Sequence, residues 1–260
     1  MIPEILNHRS VRHFQSGRTI PDAVMNELLE AASRASTVGN MQLYSMVVTS
    51  CESPVFSELG PCHFNQPAAT GAAALVTFCA DVHRFSRWCR QRAAEPAYDN
   101  LQWFVNAAID ALLASQNFSL EAEAHGLGIC YLGTTTYTAA DLVRILKLPK
   151  GVVPVTTVAV GYPAEPLPPL TDRLPLEGVV HRDTYHDYTA EQIDTLWAER
   201  EASEETQKLL RENDLPNLAR IFTERRYTQA DNLHFSRAYL EVLQEQGFFE
   251  FDWTDKPLNR

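Results

Sequence analysis

Two cations, an imidazole and a hydroxyl lie close together near the start of this chain, in the segment His8-Arg9-Ser10-Val11-Arg12. Arginine can hold a phosphate through two parallel N–H bonds, and serine can hydrogen-bond either a phosphate or a sugar-like hydroxyl. The segment therefore predicts a site for an anionic group such as a phosphorylated cofactor. The alternative interpretation is a solvated basic surface, and the segment alone leaves both open.

Other polar segments could form further walls of such a site. The turn from Ser36 to Gln42 offers hydroxyls and amides that suit the edge of a planar heterocycle, and Gln66 precedes an apolar run. Gly133, in a glycine-containing stretch, permits close backbone approach to a flat ligand, although the glycine spacing is not that of a dinucleotide-binding turn. A third arginine, Arg173, follows a proline-rich stretch. Each of these segments also has an ordinary interpretation as a surface loop.

Composition excludes several classes of protein. The 260 residues are 45% hydrophobic, enough for a substantial core, and the net charge of -11 argues against a nucleic-acid partner or adhesion to an anionic membrane. The five cysteines are scattered, and the eight histidines lack metal-ligand spacing, so we expect neither disulfides nor a metal site. Without an apolar run of bilayer length or a signal peptide, the expected location is the cytoplasm.

Apolar periodicity predicts a mixed α+β fold. The predicted helices cover residues 3–7, 22–35, 98–125 and 138–148, and the predicted strands cover 44–50, 73–80, 129–132 and 152–160. The longest helix is apolar nearly all round, which indicates a central spine or a subunit interface. Thr138 and Asp141 have the spacing of a helix-opening capping pair. The remainder, 189–260, alternates charged helical stretches with aromatic clusters.

In this order, the motifs resemble the nitroreductase family of FMN-dependent oxidoreductases, in its larger-chain, oxygen-insensitive branch. The resemblance covers roughly residues 1–190. The segments similar to that family are His8-Arg9-Ser10-Val11-Arg12-His13-Phe14, Ile20-Pro21 with Leu28-Leu29-Glu30-Ala31-Ala32, Thr37-Val38-Gly39-Asn40-Met41-Gln42, Gly126-Leu127-Gly128 and Arg173-Leu174-Pro175.

The resemblance implies a mainly antiparallel sheet flanked by helices, with a long central helix, in an intertwined homodimer. One FMN would lie in each of two sites at the subunit interface, built from both chains. Residues 1–190 would form the FMN-binding domain. Residues 191–260 would form a helical extension that packs on the same domain or on the partner chain.

The resemblance also implies three sets of cofactor-binding residues. The set for the phosphate and ribityl groups comprises His8, Arg9, Ser10 and Arg173. The set for the ring edge and ribityl chain comprises Ser36, Thr37, Gln42 and Gln66. The backbone that would approach the reactive N5 atom belongs to Leu132, Gly133 and Thr134. Arg12 would lie nearer the pyrimidine side of the ring, where a cation stabilises the charge of reduced flavin.

The implied activity needs no catalytic side chain, because the flavin carries the chemistry. Hydride would pass from NADPH or NADH through FMN to a nitroaromatic, a quinone or a free flavin, in a two-step exchange at one site. The alternatives are the same fold with different chemistry (dehalogenation, dehydrogenation or flavin breakdown) and a non-catalytic flavin-binding dimer. The acceptor-facing residues are expected within 83–99 and 190–230.

Two features leave cofactor use open. Thr171 stands where the family branch commonly has a lysine, so flavin retention or redox potential could differ. The cluster Glu224-Arg225-Arg226-Tyr227 is either a contact for the 2'-phosphate of NADPH or a solvated helix end. The preference between NADH and NADPH therefore stays undecided at the level of sequence.

Overall fold

A four-stranded sheet forms the core of the larger of two compact units in a computed structural model, which describes residues 1–249. The strands are β1 (Tyr44–Ser50), β2 (Ala74–Asp81), β3 (Gly128–Leu132) and β4 (Val152–Gly161). Their spatial order is β1-β2-β4-β3, and every neighbouring pair is antiparallel. All four predicted strands are present, with ends shifted by at most one residue. The predicted mixed α+β fold is confirmed.

Contacts divide the chain into two compact units. One unit comprises Met1–Pro169 together with the chain from Phe235 onward, and the other comprises Leu170–His234. The sheet belongs to the first unit. The functional division into a flavin-binding part, 1–190, and an extension, 191–260, stays a prediction, and residues 250–260 of that extension lie outside the described residues.

Helices cover both faces of the sheet in the first unit. They are α1 (Pro3–Asn7), α2 (Asp22–Ser33), α3 (Pro54–Cys62), α4 (Pro67–Thr70), α5 (His83–Gln91), α6 (Leu101–Ala124) and α7 (Ala139–Ile145). On one face, Leu28 of α2 and Phe118 of α6 pack in a cluster with Val76 of β2. On the other face, helices α3, α4 and α7 contribute to a second cluster, which includes Leu59 and Leu75. Burial from both sides explains why β2 and β4 are rich in apolar and β-branched residues.

The predicted long helix is α6, which is shorter than the 98–125 expected. It begins after Asn100, whose side-chain oxygen accepts a hydrogen bond from the Trp103 amide at 3.3 Å and so caps the first turn. It ends before Gly126, which adopts the left-handed conformation typical of a helix end (φ 72°). One side of α6 packs on the sheet. The other exposes an apolar stripe, which we call the α6 stripe: Leu101, Val105, Ile109, Leu112 and Leu113.

The predicted capping pair at the start of α7 is wrong in detail. Thr138 occupies the N-cap position, but its side chain makes no capping hydrogen bond. Its hydroxyl instead donates to the Cys62 carbonyl oxygen at 2.7 Å. A tertiary contact with the end of α3 therefore replaces the local contact that the spacing favours.

The second unit is helical. It contains α8 (Ala190–Ala202), α9 (Glu204–Asn213), α10 (Leu218–Ile221), a π-helical turn at Phe222–Arg226 and the start of α11 (Gln229–Glu245). Thr189 and Gln192 form a reciprocal capping box at the start of α8. Across residues 1–249, no helix is both long enough and apolar enough to cross a membrane.

Candidate functional site

The basic N-terminal segment runs alongside β3. The Val11 amide donates to the Ile129 carbonyl oxygen at 2.8 Å, and Ser10 forms an isolated parallel bridge with Ile129. Close packing requires a glycine here, because a Cβ on Gly128 would lie 2.6 Å from a methyl group of Val11. Backbone pairing and this contact together hold Ser10 and Arg12 beside the sheet edge.

The side chains of Arg12 and Ser10 have no partner among residues 1–249. Neither the Arg12 guanidinium nor the Ser10 hydroxyl makes a hydrogen bond or ion pair with another described residue. Arg12 lies near enough to β3 to influence Cys130, where burial raises the pKa of the thiol and the Arg12 charge opposes that rise. A cation and a hydroxyl are thus available to a ligand at this edge.

His8 and Arg9 are already engaged within the protein. His8 Nδ1 lies 2.8 Å from Glu123 Oε1, and Arg9 donates to the carbonyl oxygens of Asn7 and Pro168, both at 3.1 Å. Arg9 also lines a surface cavity of about 320 Å³, together with Glu123. The role of His8 and Arg9 as phosphate ligands stays a prediction, and for Arg9 it competes with these contacts to carbonyl oxygens.

One turn of 3₁₀-helix at Gly133–Thr135 follows directly after Leu132, the last residue of β3. Gly133 is exposed, and a Cβ built on it meets no described atom within 4 Å, so the space above its backbone is open. Thr134 is buried, and its hydroxyl lies 2.9 Å from His63 Nδ1. The turn therefore presents an uncovered backbone on one side and is anchored by an imidazole on the other.

His63 is a buried residue that no sequence motif indicated. It follows α3 and is fully inaccessible, and its Nε2 atom has no hydrogen-bond partner among residues 1–249. Burial lowers the pKa of His63 to about 4, so the ring is neutral near pH 7. Gln66 lies close by, because its backbone N–H donates to the His63 carbonyl oxygen at 3.1 Å.

These contacts connect several predicted site residues through β3 and the end of α3. We call this set the β3 cluster: Ser10, Arg12, Gln66, Gly133 and Thr134. The Gln66 side-chain amide makes no hydrogen bond to another described residue. The cluster thus combines a free cation, a free hydroxyl, a free amide and an uncovered glycine.

The turn at Ser36–Gln42 is held by a buried carboxylate from the middle of α6. Asp110 is 1% exposed, and its two oxygens accept hydrogen bonds from the amides of Val38 and Leu43, each at 3.0 Å. Fixing both ends stabilises left-handed backbone at Asn40 and Gln42 (φ 54° at each). The only signal for Asp110 in the sequence is an acidic residue within an otherwise apolar stretch of helix.

No hydrogen bond, ion pair or ring contact among the described residues joins this turn to the β3 cluster. The side chains of Ser36 and Thr37 likewise have no hydrogen-bond partner in that part of the chain. The turn contacts the same helix that carries the α6 stripe, through Asp110, which directly follows the stripe residue Ile109. Within one chain, then, hydrogen bonds and backbone pairing connect the β3 cluster to β3 and to the end of α3, and no contact of these kinds connects the turn to the cluster among residues 1–249.

Arg173 belongs to the second unit. Its guanidinium donates to the hydroxyl oxygen of Thr171 at 2.6 Å and to the carbonyl oxygens of Thr171 and Asp172. Thr171, the departure from the family pattern, is therefore a direct partner of Arg173. The part of Arg173 in phosphate binding stays a prediction.

A model of the nitroreductase family matches residues 5–162. An NADPH-dependent FMN reductase of Bacillus subtilis is 34% identical over 187 residues, which cover 71% of this chain and 74% of that protein. An oxygen-insensitive NADPH nitroreductase of Salmonella typhimurium is 30% identical over 181 residues, or 70% and 72% of the two chains.

Solved structures agree with these matches. A crystal structure from Bacteroides fragilis has a TM-score of 0.92 and 47% identity, and it covers 96% of this chain and 100% of its own. A nitroreductase of Bacillus subtilis has a TM-score of 0.77 and 30% identity, with coverage of 95% and 98%. The β3 cluster and the Ser36–Gln42 turn both lie within the matched span of 5–162.

Proposed function

Because this chain belongs to the nitroreductase family, we propose that it is an FMN-dependent oxidoreductase. Hydride passes from NADPH or NADH through the bound flavin to a small electron-poor acceptor, a nitroaromatic, a quinone or a free flavin. The relatives named an FMN reductase and a nitroreductase support this assignment. Support from the structure itself comes from the β3 cluster.

The β3 cluster fits FMN in its donor set. FMN carries a dianionic phosphate, a polyhydroxylated chain and a flat ring, and the cluster offers an unpaired guanidinium, a hydroxyl, an amide and open backbone at Gly133. When bound, FMN supplies the two-electron chemistry, which is why the site contains no essential acid, base or nucleophile. The single observation that carries the proposal is that a guanidinium, a hydroxyl and a side-chain amide, each without a partner among residues 1–249, occur beside β3 and the nearby end of α3.

The protein contributes orientation and charge. Arg12 provides a cation beside β3 that favours the more negative, reduced form of a flavin placed against it. The buried His63 fixes Thr134, and so holds the exposed backbone at Gly133 in one geometry. Ser10 and Gln66 provide neutral hydrogen-bonding groups for the ribityl chain or the ring edge.

A second copy of the chain completes the site. The α6 stripe exposes five large apolar side chains on one helix, each 43–49% exposed, as is typical of a surface that pairs with another protein. Pairing through this stripe brings the adjacent Ser36–Gln42 turn of one protomer toward the β3 cluster of its partner. Support for this arrangement comes from the lack of any hydrogen bond, ion pair or ring contact between the turn and the cluster within the described part of one chain.

The test compares Arg12→Ala with Arg9→Ala. Both remove one positive charge from the same segment, but Arg9 donates to two carbonyl oxygens, whereas Arg12 has no partner in the described part of the chain. We expect Arg12→Ala to weaken FMN binding by about 1.5–3 kcal/mol, the range for a hydrogen bond to a charged group, and to lower the flavin reduction potential. Fluorescence titration of the apoprotein and redox titration of the holoenzyme measure the two effects.

In the Arg9→Ala protein, the reduction potential of the bound flavin should equal that of wild type. If Arg12→Ala matches wild type in both FMN affinity and potential, the placement of the flavin along β3 is wrong.

A further inference from the structure

A contact between His8 and Glu123 joins the N-terminal segment to the end of α6. His8 Nδ1 lies 2.8 Å from Glu123 Oε1, although the two residues are 115 positions apart in the sequence. Only 29% of the His8 side chain and 13% of the Glu123 side chain is exposed. Water therefore screens the attraction between the two groups only in part.

The surroundings of Glu123 favour a positively charged ring on His8. The second carboxylate oxygen of Glu123, Oε2, is buried and has no hydrogen-bond partner among residues 1–249. A buried carboxylate is costly unless a cation balances its charge, and in that part of the chain the His8 ring is the only group that pairs with Glu123. Glu123 also belongs to the last turn of α6, where the helix dipole favours a cation.

The same contact determines which ring nitrogen of His8 is available to a ligand. Nδ1 is occupied, because its proton is held in the hydrogen bond to the carboxylate. Nε2 has no partner in the part of the chain that the structure describes. In the neutral ring Nε2 is then an acceptor, and it becomes a donor only when the ring is charged. It follows that only the charged ring can donate to a phosphate.

We propose that Glu123 is a positioning residue for the FMN phosphate and that it acts through His8. Its carboxylate keeps the imidazole oriented and charged, and the Nε2–H group of the charged ring donates to a phosphate oxygen. This inference rests on the proposed function and adds to it a carboxylate–imidazole pair that makes the affinity for the phosphate group depend on pH. Riboflavin, which is FMN without the phosphate, gains nothing from the pair.

Neighbouring charged groups do not produce the same pH dependence. Glu4 and Arg9 line a cavity of about 320 Å³ together with Glu123, but carboxylates and guanidinium groups keep their charges between pH 7 and pH 9. The FMN phosphate loses its second proton near pH 6 and stays dianionic across that range. His13, the other histidine of the N-terminal segment, is exposed, and His13→Gln controls for its titration.

The experiment measures the dissociation constants of the apoprotein for FMN and for riboflavin at pH 7 and pH 9, by fluorescence titration. The ratio of the two constants isolates the contribution of the phosphate, and we call it the phosphate preference. In wild type it should fall about tenfold from pH 7 to pH 9, the effect of one charged hydrogen bond, because the ring loses its charge. Glu123→Gln and His8→Gln should each lower it about tenfold at pH 7 and leave a change of less than about twofold between the two pH values.

Glu121→Gln is the matched control. Glu121 lies two residues earlier on α6 and pairs with His125 at 3.3 Å, so this variant removes the same charge from another glutamate–histidine pair. Its phosphate preference should equal that of wild type at both pH values, as should that of His13→Gln.

The double variant separates an effect through His8 from a structural effect. In the His8→Gln background, Glu123→Gln should change the affinity for FMN less than about twofold, because the group through which it acts is already absent. Glu123→Asp retains the carboxylate and should retain part of the wild-type pH dependence. Riboflavin affinity should stay near wild type in every variant, which shows that the fold is intact.

The inference is overturned if Glu123→Gln keeps the wild-type phosphate preference, if Glu121→Gln reproduces its effect, or if the effects of Glu123→Gln and His8→Gln add in the double variant. Equal losses of FMN and riboflavin affinity in Glu123→Gln would also overturn it, because the carboxylate would then serve the fold rather than the phosphate. Failure of the proposed function looks different, since the wild-type protein would then bind neither flavin.

Discussion

At the scale of single residues, two buried polar side chains, His63 and Asp110, hold the two turns that carry predicted site residues. Ser10, Arg12 and Thr134 lie in recognisable segments, whereas the supports for two turns come from far along the chain. His63 meets Thr134 across 71 residues, and Asp110 meets Val38 across 72. Such contacts depend on how helices pack on the sheet, which local spacing does not encode.

His63 also makes stability depend on pH. Its pKa is about 4 in the folded protein, against 6.5 for an ordinary histidine, so the unfolded chain takes up the proton first as the pH falls. Above about pH 6.5, His63 is neutral in both states and the folded protein has its full stability. As the pH falls from about 6.5 to 4, protonation of His63 in the unfolded chain lowers the free energy of unfolding. Between pH 7 and pH 5, wild type should lose about 2 kcal/mol more unfolding free energy than His63→Gln.

Urea denaturation of both proteins at the two pH values measures this difference, and His13→Gln, at an exposed position, is the matched control. Identical pH dependence in wild type and His63→Gln would show that the imidazole does not stay neutral as described.

At the scale of elements, periodicity located the four strands and α6 but missed three helices, α3, α4 and α5. In α5, arginines interrupt the apolar spacing of His83–Gln91. The sequence described α6 as apolar nearly all round, and the structure shows why: one side faces the sheet and the other carries the α6 stripe. A helix that has apolar residues on two opposite sides lacks the alternation of a polar and an apolar face, so its sequence shows no amphipathic pattern.

The α6 stripe leads to a test of assembly. Replacing Ile109 with Glu places a charge in the centre of the stripe, and because Ile109 is 49% exposed, the monomer fold should tolerate it. We expect Ile109→Glu to convert a dimer to a monomer and to weaken FMN binding, since a charge without a partner opposes burial at an interface. Analytical ultracentrifugation and FMN titration measure the two effects.

The matched control is Leu240→Glu, which puts the same charge on an equally exposed leucine of α11. A monomeric wild-type protein, or an Ile109→Glu protein that remains dimeric with full FMN affinity, would contradict the pairing through α6.

At the scale of the whole molecule, the resemblance of short motifs was sufficient for the family and the fold, and the match over residues 5–162 agrees. The predicted division at residue 190 and a cytoplasmic location stay predictions. The physiological acceptor could not be read from sequence, because acceptor choice depends on the shape of the completed site rather than on a motif.

The central claim is that this chain binds FMN and passes electrons through it. The most direct measurement is the visible absorption of the holoenzyme under anaerobic conditions. We predict that NADPH bleaches the oxidised flavin bands and that a quinone or a nitroaromatic, added afterwards, restores them. Bound FMN that stays oxidised with excess NADPH and NADH, or a protein that binds no FMN, would contradict the account.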